Sequence, residues 1–135
     1  MTKRVEDSKS NLKVLIIDDD TVFLSSLSAL LSAERFSVRG VYTGNDGVSE
    51  IKKWKPDLVI LDLMLPDEDG LSILSKIRED KDTKDTAVVV CTNRGSEEDE
   101  KKCYSLGTKE VLKKANYRID QLVEKIKEAA SRSSS

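Results

Sequence analysis

A chain of 135 residues, 38% apolar and 36% charged, has the size and make-up of one soluble globular domain with a core of its own. Its net charge of -2 offers no global attraction to nucleic acid or to a membrane surface. It contains no histidine, which excludes Ser-His-Asp and Cys-His catalysis, zinc hydrolases and any phosphohistidine of its own.

Residues 1–11 read as a polar tail, 12–130 as the domain and 131–135 as a second polar tail. No signal peptide or apolar run of membrane length is read, and a cytoplasmic setting is expected. The first apolar run, Lys13 to Asp18, predicts a strand that ends in three acids, Asp18, Asp19 and Asp20. Adjacent carboxylates repel unless a cation or water intervenes, and any of them could cap the next helix. That helix is read from Val22, Phe23, Leu27, Leu30 and Leu31 on one face and ends near Ala33. Phe36 to Tyr42 alternates apolar and polar, as an edge strand does. Gly44 to Trp54 predicts a helix with Val48, Ile51 and Trp54 inward, stopped by Pro56.

Leu58 to Leu61 is four branched aliphatics in a row, which suits a strand buried on both faces. Burying it leaves Asp62 at the sheet's end, before a loop marked by Pro66 and Gly70. Gly70 to Glu79 predicts a helix with Leu71, Ile73, Leu74 and Ile77 toward the core, and 80–85 a charged loop. Ala87 to Cys91 is a fourth strand, ending at Thr92. Ser96 to Leu106 predicts a helix capped by Ser96 with acids in its first turn. Its apolar content is only Cys103, Tyr104 and Leu106, so loose docking is expected. Gly107 ends it. Val111 and Leu112 mark a short fifth strand running to Lys113 and Lys114, and Tyr117 to Ala130 a last helix with Ile119, Leu122, Val123, Ile126 and Ala130 inward. Cys91 and Cys103 lie in an apolar and a polar setting, so reduced thiols are expected, with no disulfide and no zinc site.

Five strands alternating with five helices predict an α/β domain with a parallel sheet, its strand C-termini along one edge. Ligands of such sheets bind at that edge. The residues there are Asp18, Asp19, Asp62, Thr92 and Lys114. Each alone has an ordinary reading as a cap, turn residue or surface charge; their gathering at strand ends points to a site. Oxygen-only donors suit Mg²⁺. A carboxylate beside that metal can attack a phosphoryl group, with Lys114 and Thr92 holding the phosphoryl oxygens. No Walker glycine loop is present to cradle a nucleotide.

With KVLIIDDD (13–20), DLVILDLMLPDEDG (57–70), VVVCT (88–92) and LGTKEVLKK (106–114), the chain resembles a response-regulator receiver domain of bacterial two-component signalling, the CheY-like family. The resemblance spans about residues 12–130. It implies a flavodoxin-like (βα)5 fold with strand order 2-1-3-4-5. It implies Asp62 as phosphoacceptor for a histidine kinase or histidine phosphotransfer protein. It further implies Mg²⁺ held by Asp18, Asp19, Asp62 and the backbone carbonyl of Met64, Thr92 as the hydroxyl that swings to the phosphoryl group, and Lys114 as the pairing lysine. Such a domain is a switch, not an enzyme with a separate substrate. Its expected output surface is the 96–130 face, open to a downstream protein or a second copy. No helix-turn-helix follows residue 130, so direct DNA reading by this chain is not expected.

Three positions depart from the family pattern. Ala115 stands where proline usually follows the lysine, which removes the support for a cis bond. Val111 stands at the switch position where an aromatic is expected. Asn93, followed by Arg94, stands where a small residue is usual and could crowd or gate the site. Met64 and Arg94, with Asn93, are expected to set the lifetime of a phosphorylated form. These departures keep in view a docking module that is not phosphorylated. The Asp-x-Asp spacing within Asp18-Asp19-Asp20 keeps in view a third reading, a small aspartyl-phosphate phosphatase of the haloacid dehalogenase type.

Overall fold

A computed structural model describes residues 12–132. The tails at 1–11 and 133–135 lie outside the described residues. In chain order the elements are β1 (Lys13–Ile17), α1 (Thr21–Ala33), β2 (Ser37–Val41), α2 (Gly44–Trp54), β3 (Leu58–Leu61), α3 (Gly70–Glu79), β4 (Val88–Thr92), α4 (Glu97–Ser105), β5 (Glu110–Lys113), a 3₁₀ turn (Lys114–Asn116) and α5 (Ile119–Ser131). The strands form one parallel sheet in the order β2-β1-β3-β4-β5, the flavodoxin-like arrangement expected.

The unbroken apolar runs have a direct cause. Successive strand residues face opposite sides, and both sides are covered. Val14, Ile16, Leu58, Ile60, Val89 and Cys91 pack against α1 and α5. Leu15, Ile17, Val59, Leu61, Val88 and Val90 pack against α2, α3 and α4. All four residues of β3 are buried, each contributing about 1.5–3 kcal/mol of apolar transfer. This rigid centre is what presents Asp62 at a defined place.

The face of α1 differs from the expected one. Leu24, Leu27 and Leu31 are buried, while Val22 is 74% exposed and Leu30 37% exposed. At about 100° per residue, Leu24, Leu27 and Leu31 share one narrow face, Val22 lies on the opposite side of the helix and Leu30 lies off the edge of the buried stripe. Leu24 packs where a Cβ on Gly40 would lie 2.5 Å from its Cδ2. In α3, Ile73, Leu74 and Ile77 are buried and Leu71 is half-buried. The last helix starts later than Tyr117, because Arg118 is its N-cap and its backbone N–H donates to Gln121 Oε1 at 2.8 Å. It runs one residue past Ala130, to Ser131.

The charged stretch 80–85 is more ordered than a solvated loop. The buried Thr83 hydroxyl donates to the Ile77 carbonyl at 2.7 Å. Arg78 donates to the carbonyls of Leu106 (2.6 Å), Lys84 (2.9 Å), Thr86 (2.7 Å) and Gly107 (3.3 Å). One guanidinium thus joins α3, the loop before β4 and the end of α4. In α4 itself, Cys103 is the one buried residue of nine. Gly107, at φ +81, adopts the left-handed conformation that lets the chain leave this helix for β5.

Candidate functional site

The acids are delivered by the sheet. Ile17 of β1 pairs with Leu61 of β3. One residue further on, the Asp18 N–H donates to the Val41 carbonyl at 3.1 Å and the Asp62 N–H to the Ile17 carbonyl at 3.0 Å. Backbone pairing therefore sets Asp18 and Asp62 side by side just beyond the strand ends. Both are nearly closed off, at 2% and 5% exposure. Asp19, which is exposed, completes the group: carboxylate oxygens of Asp18, Asp19 and Asp62 lie within 4.8 Å of one another. Asp20 has a different task. Its Oδ1 accepts the Phe23 N–H at 3.0 Å and caps α1.

Lys114 enters from the far side of the sheet, from the turn after β5. Its Nζ lies 2.8 Å from Asp18 Oδ2 and 3.0 Å from Asp62 Oδ2, and 4.2 Å from the centre of the Phe23 ring. The other oxygens are occupied by the backbone: Asp18 Oδ1 accepts the Asp20 N–H at 2.9 Å, and Asp62 Oδ1 accepts the Met64 N–H at 3.0 Å. Burial pushes the Asp18 carboxyl up to about 6, against the pull of Lys114 and the Asp20 N–H, and the nearby Asp62 adds to the rise. For Lys114, burial works to lower the ammonium's pKa, but the hydrogen bonds to Asp18 and Asp62 outweigh it and the net shift is upward.

Three carboxylates against one ammonium leave the pocket with a net negative charge and oxygen donors only. That set suits a hard divalent cation, which would relieve the repulsion that Lys114 only partly offsets.

The other expected site residues are placed around this centre. Thr92 is buried at the end of β4, and its hydroxyl accepts the Arg94 N–H at 3.1 Å. The Asn93 Oδ1 accepts the Ala115 N–H at 2.9 Å and ties the loop after β4 to the 3₁₀ turn. The described residues contain no cis peptide bond, so Lys114–Ala115 is trans. The Met64 side chain is 54% exposed at the rim. Val111 is half-buried, and a cavity of about 300 Å³ lies beside it, lined in part by Thr92, Arg94 and Tyr117.

Sequence reasoning missed several contacts. Asp67 spans from the loop after β3 to the start of α2, taking the N–H groups of Gly44 and Asn45 at 2.9 Å each. Asp69 caps α3 through the Leu71 N–H at 2.9 Å. The Asp69 cap had a local signal, an acid directly before Gly70 and an apolar helix pattern. The Asp67 contact had none, since its partners lie 22 and 23 residues away. Arg94 pairs with Asp69 at 3.0 Å and Asp99 at 3.1 Å.

The family model for the response regulator receiver domain matches residues 14–127. Among curated proteins, the chain is similar to Regulatory protein VanRc of Enterococcus gallinarum, 33% identical over 102 residues that cover 76% of this chain and 43% of that protein. It is similar also to the DNA-binding dual master transcriptional regulator RpaA of Synechocystis sp., 29% identical over 115 residues, 85% of this chain and 47% of that one. The chain spans about half the length of the curated relatives it matches. Among solved structures, a CheY-like response regulator receiver domain protein from Methanospirillum hungatei JF-1 superimposes with a TM-score of 0.83 at 27% identity, covering 92% of this chain and 97% of that one.

Proposed function

This chain belongs to the response-regulator receiver family, and on that premise we propose that it is a phosphorylatable switch in a two-component phosphorelay. Asp62 accepts a phosphoryl group from a histidine kinase or a histidine phosphotransfer protein. The observation that carries this reading is the Lys114 ammonium seated between the buried carboxylates of Asp18 and Asp62, with Asp19 beside them. In the transfer, an Asp62 oxygen bonds to phosphorus, the donor's phosphorus–nitrogen bond breaks, and the imidazole leaves with the electron pair. Lys114 already touches the reacting carboxylate, so its ammonium can pass to the phosphoryl oxygens without leaving the pocket. The Thr92 hydroxyl would add a hydrogen bond by giving up its contact with the Arg94 N–H.

Asp18, Asp19, Asp62 and the Met64 carbonyl would hold Mg²⁺, which when bound supplies positive charge beside the phosphoryl oxygens. Met64, Asn93 and Arg94, around the rim, set how readily water reaches the acyl phosphate and hence its lifetime. The output is a change in protein–protein contacts through the 96–130 face, toward a downstream protein or a second copy, in the cytoplasm. The chain itself is a switch, acting only in its own phosphorylation and dephosphorylation.

The test is intact mass after incubation with Mg²⁺ and acetyl phosphate. One phosphoryl adduct is expected, absent from Asp62→Asn. No adduct with any phosphodonor would leave a docking module that is not phosphorylated. Phosphate release that survives Asp62→Asn but stops in Asp18→Asn would indicate a phosphatase of the haloacid dehalogenase type. Exchanging Met64 and Arg94 together for short polar residues should change the decay rate of the adduct; an unchanged rate refutes their role in its lifetime.

A further inference from the structure

The Arg94 side chain lies among the groups that would have to move in a switch. Its backbone N–H is bound by the Thr92 hydroxyl at 3.1 Å. Its guanidinium is fastened on two sides. Nη1 donates to Asp69 Oδ2 at 3.0 Å; Nε donates to Asp99 Oδ2 at 3.1 Å and Nη2 to Asp99 Oδ1 at 3.4 Å. Asp69 is the cap of α3. Asp99 lies in the first turn of α4, where its own N–H is held by the Ser96 hydroxyl at 3.0 Å. A single residue therefore connects the end of β4, the start of α3 and the start of α4.

Among the described residues, the near end of α4 buries no side chain of its own. Cys103 is its buried residue, and the Tyr104 hydroxyl, accepting the Val111 N–H at 3.1 Å, secures the far half. The segment between has room to move. A Cβ on Gly95 would meet nothing within 4 Å, and the cavity of about 300 Å³ borders Thr92, Arg94 and Val111.

We propose that Arg94 relays the state of Thr92 to α4, as a latch that is closed while the Thr92 hydroxyl accepts the Arg94 N–H and opens when that hydroxyl turns to a phosphoryl group on Asp62. This deepens the phosphoacceptor reading and rests on it. The physical basis is competition for one oxygen. Side-chain torsions sit in staggered wells, so a turn of Thr92 moves its oxygen off the Arg94 N–H altogether. The freed backbone reorganises at Gly95, and the two-pronged grip on Asp99, which needs the planar fork aligned, is lost. The ion pairs are partly solvent-exposed and individually weak, which lets one hydroxyl rotation overturn them. With Val111 in place of a ring, the signal travels through an ion pair and not through aromatic packing.

The experiment is hydrogen exchange across 97–105 in the full chain, with Mg²⁺ and beryllofluoride as phosphoryl mimic and its binding read by fluorine NMR. In the wild type the mimic should raise exchange in α4 by about three-fold or more. Asp99→Asn should show that rise without the mimic, gain little more with it, and still bind it. Arg94→Gln, which leaves the first turn of α4 intact, should also raise exchange without the mimic. If only Asp99→Asn does, the effect is loss of a helix-end charge and the relay is overturned. Wild-type exchange in both variants, or an undiminished response to the mimic, overturns it as well. A wild type that binds no beryllofluoride removes the phosphoacceptor reading together with the relay; one that binds it without any change in α4 removes the relay alone.

Discussion

Replacing Asp18 by asparagine should stabilise the metal-free protein at neutral pH, although it removes an ion pair. Asp18 is 2% exposed, and burial pushes its carboxyl from 3.8 up to about 6 despite the bonds from Lys114 and the Asp20 N–H. The native pKa lies above the unfolded one, so the folded state favours the protonated acid. Stability linked to this group is complete below about pH 4 and is lost as pH rises through 6. At 1.36 kcal/mol per unit, a shift of roughly two units corresponds to about 3 kcal/mol lost by pH 7.5. The amide in Asp18→Asn does not ionise and keeps an oxygen for the Asp20 N–H, but gives up the charge contact with Lys114. We expect a net gain of about 1–2 kcal/mol, or roughly 4–8 °C in Tm. The assay is urea and thermal unfolding followed by circular dichroism in EDTA, at pH 7.5 and 4.5. The gain should appear at pH 7.5 and vanish at pH 4.5, where wild-type Asp18 is already protonated. Adding Mg²⁺ at pH 7.5 should stabilise the wild type and leave the variant nearly unmoved. A variant no more stable than wild type at pH 7.5, or equally favoured at both pH values, would refute the reasoning.

Lys114→Met leaves Asp18 and Asp62 facing each other without their shared ammonium, and should destabilise by about 2 kcal/mol at pH 7.5 and by less at pH 4.5 in the same unfolding assay. Gly70→Ala would set a Cβ 2.3 Å from Leu63 Cα and 2.6 Å from the Asp62 carbonyl oxygen, both backbone atoms that cannot swing aside. A loss of about 3 kcal/mol or more is expected, read as a lower urea midpoint. Asp67→Ala removes both acceptors at the start of α2 and should cost about 1 kcal/mol at neutral pH. The Asn45 and Gly44 N–H groups hold the Asp67 carboxyl below its usual range, so its contribution is present above about pH 4 and fades in acid. The gap between Asp67→Ala and wild type should therefore narrow in acid unfolding.

Much of the fold was legible in local pattern. Runs such as Leu58 to Leu61 and Val88 to Cys91 announce strands covered on both faces, and Gly, Pro and cap residues punctuate them. With right-handed crossovers, the alternation of strands and helices is enough to send Asp18, Asp62, Thr92 and the Lys114 segment to one edge of the sheet. Side-chain direction was less legible. Val22 and Leu30 looked like core residues, but the phase of α1 is set by the Asp20 cap and by packing on Gly40, which turns Leu24 inward instead. Asn93 and Arg94 stand out in the sequence as residues flanking the site, but two of their partners, the Ala115 N–H for Asn93 and Asp69 for Arg94, lie 22 and 25 residues away, where no local pattern records them.

By itself, then, the sequence determined which segments are buried and which chemical groups gather at the sheet's end, because hydrophobic periodicity and turn chemistry act over a few residues. Only the tertiary structure decided who touches whom there: that Lys114 lies between Asp18 and Asp62, that Asp67 caps a helix from another loop, and that Thr92 holds the Arg94 N–H. Those choices belong to packing, since a polar side chain accepts whichever partner the surrounding elements bring within about 3 Å.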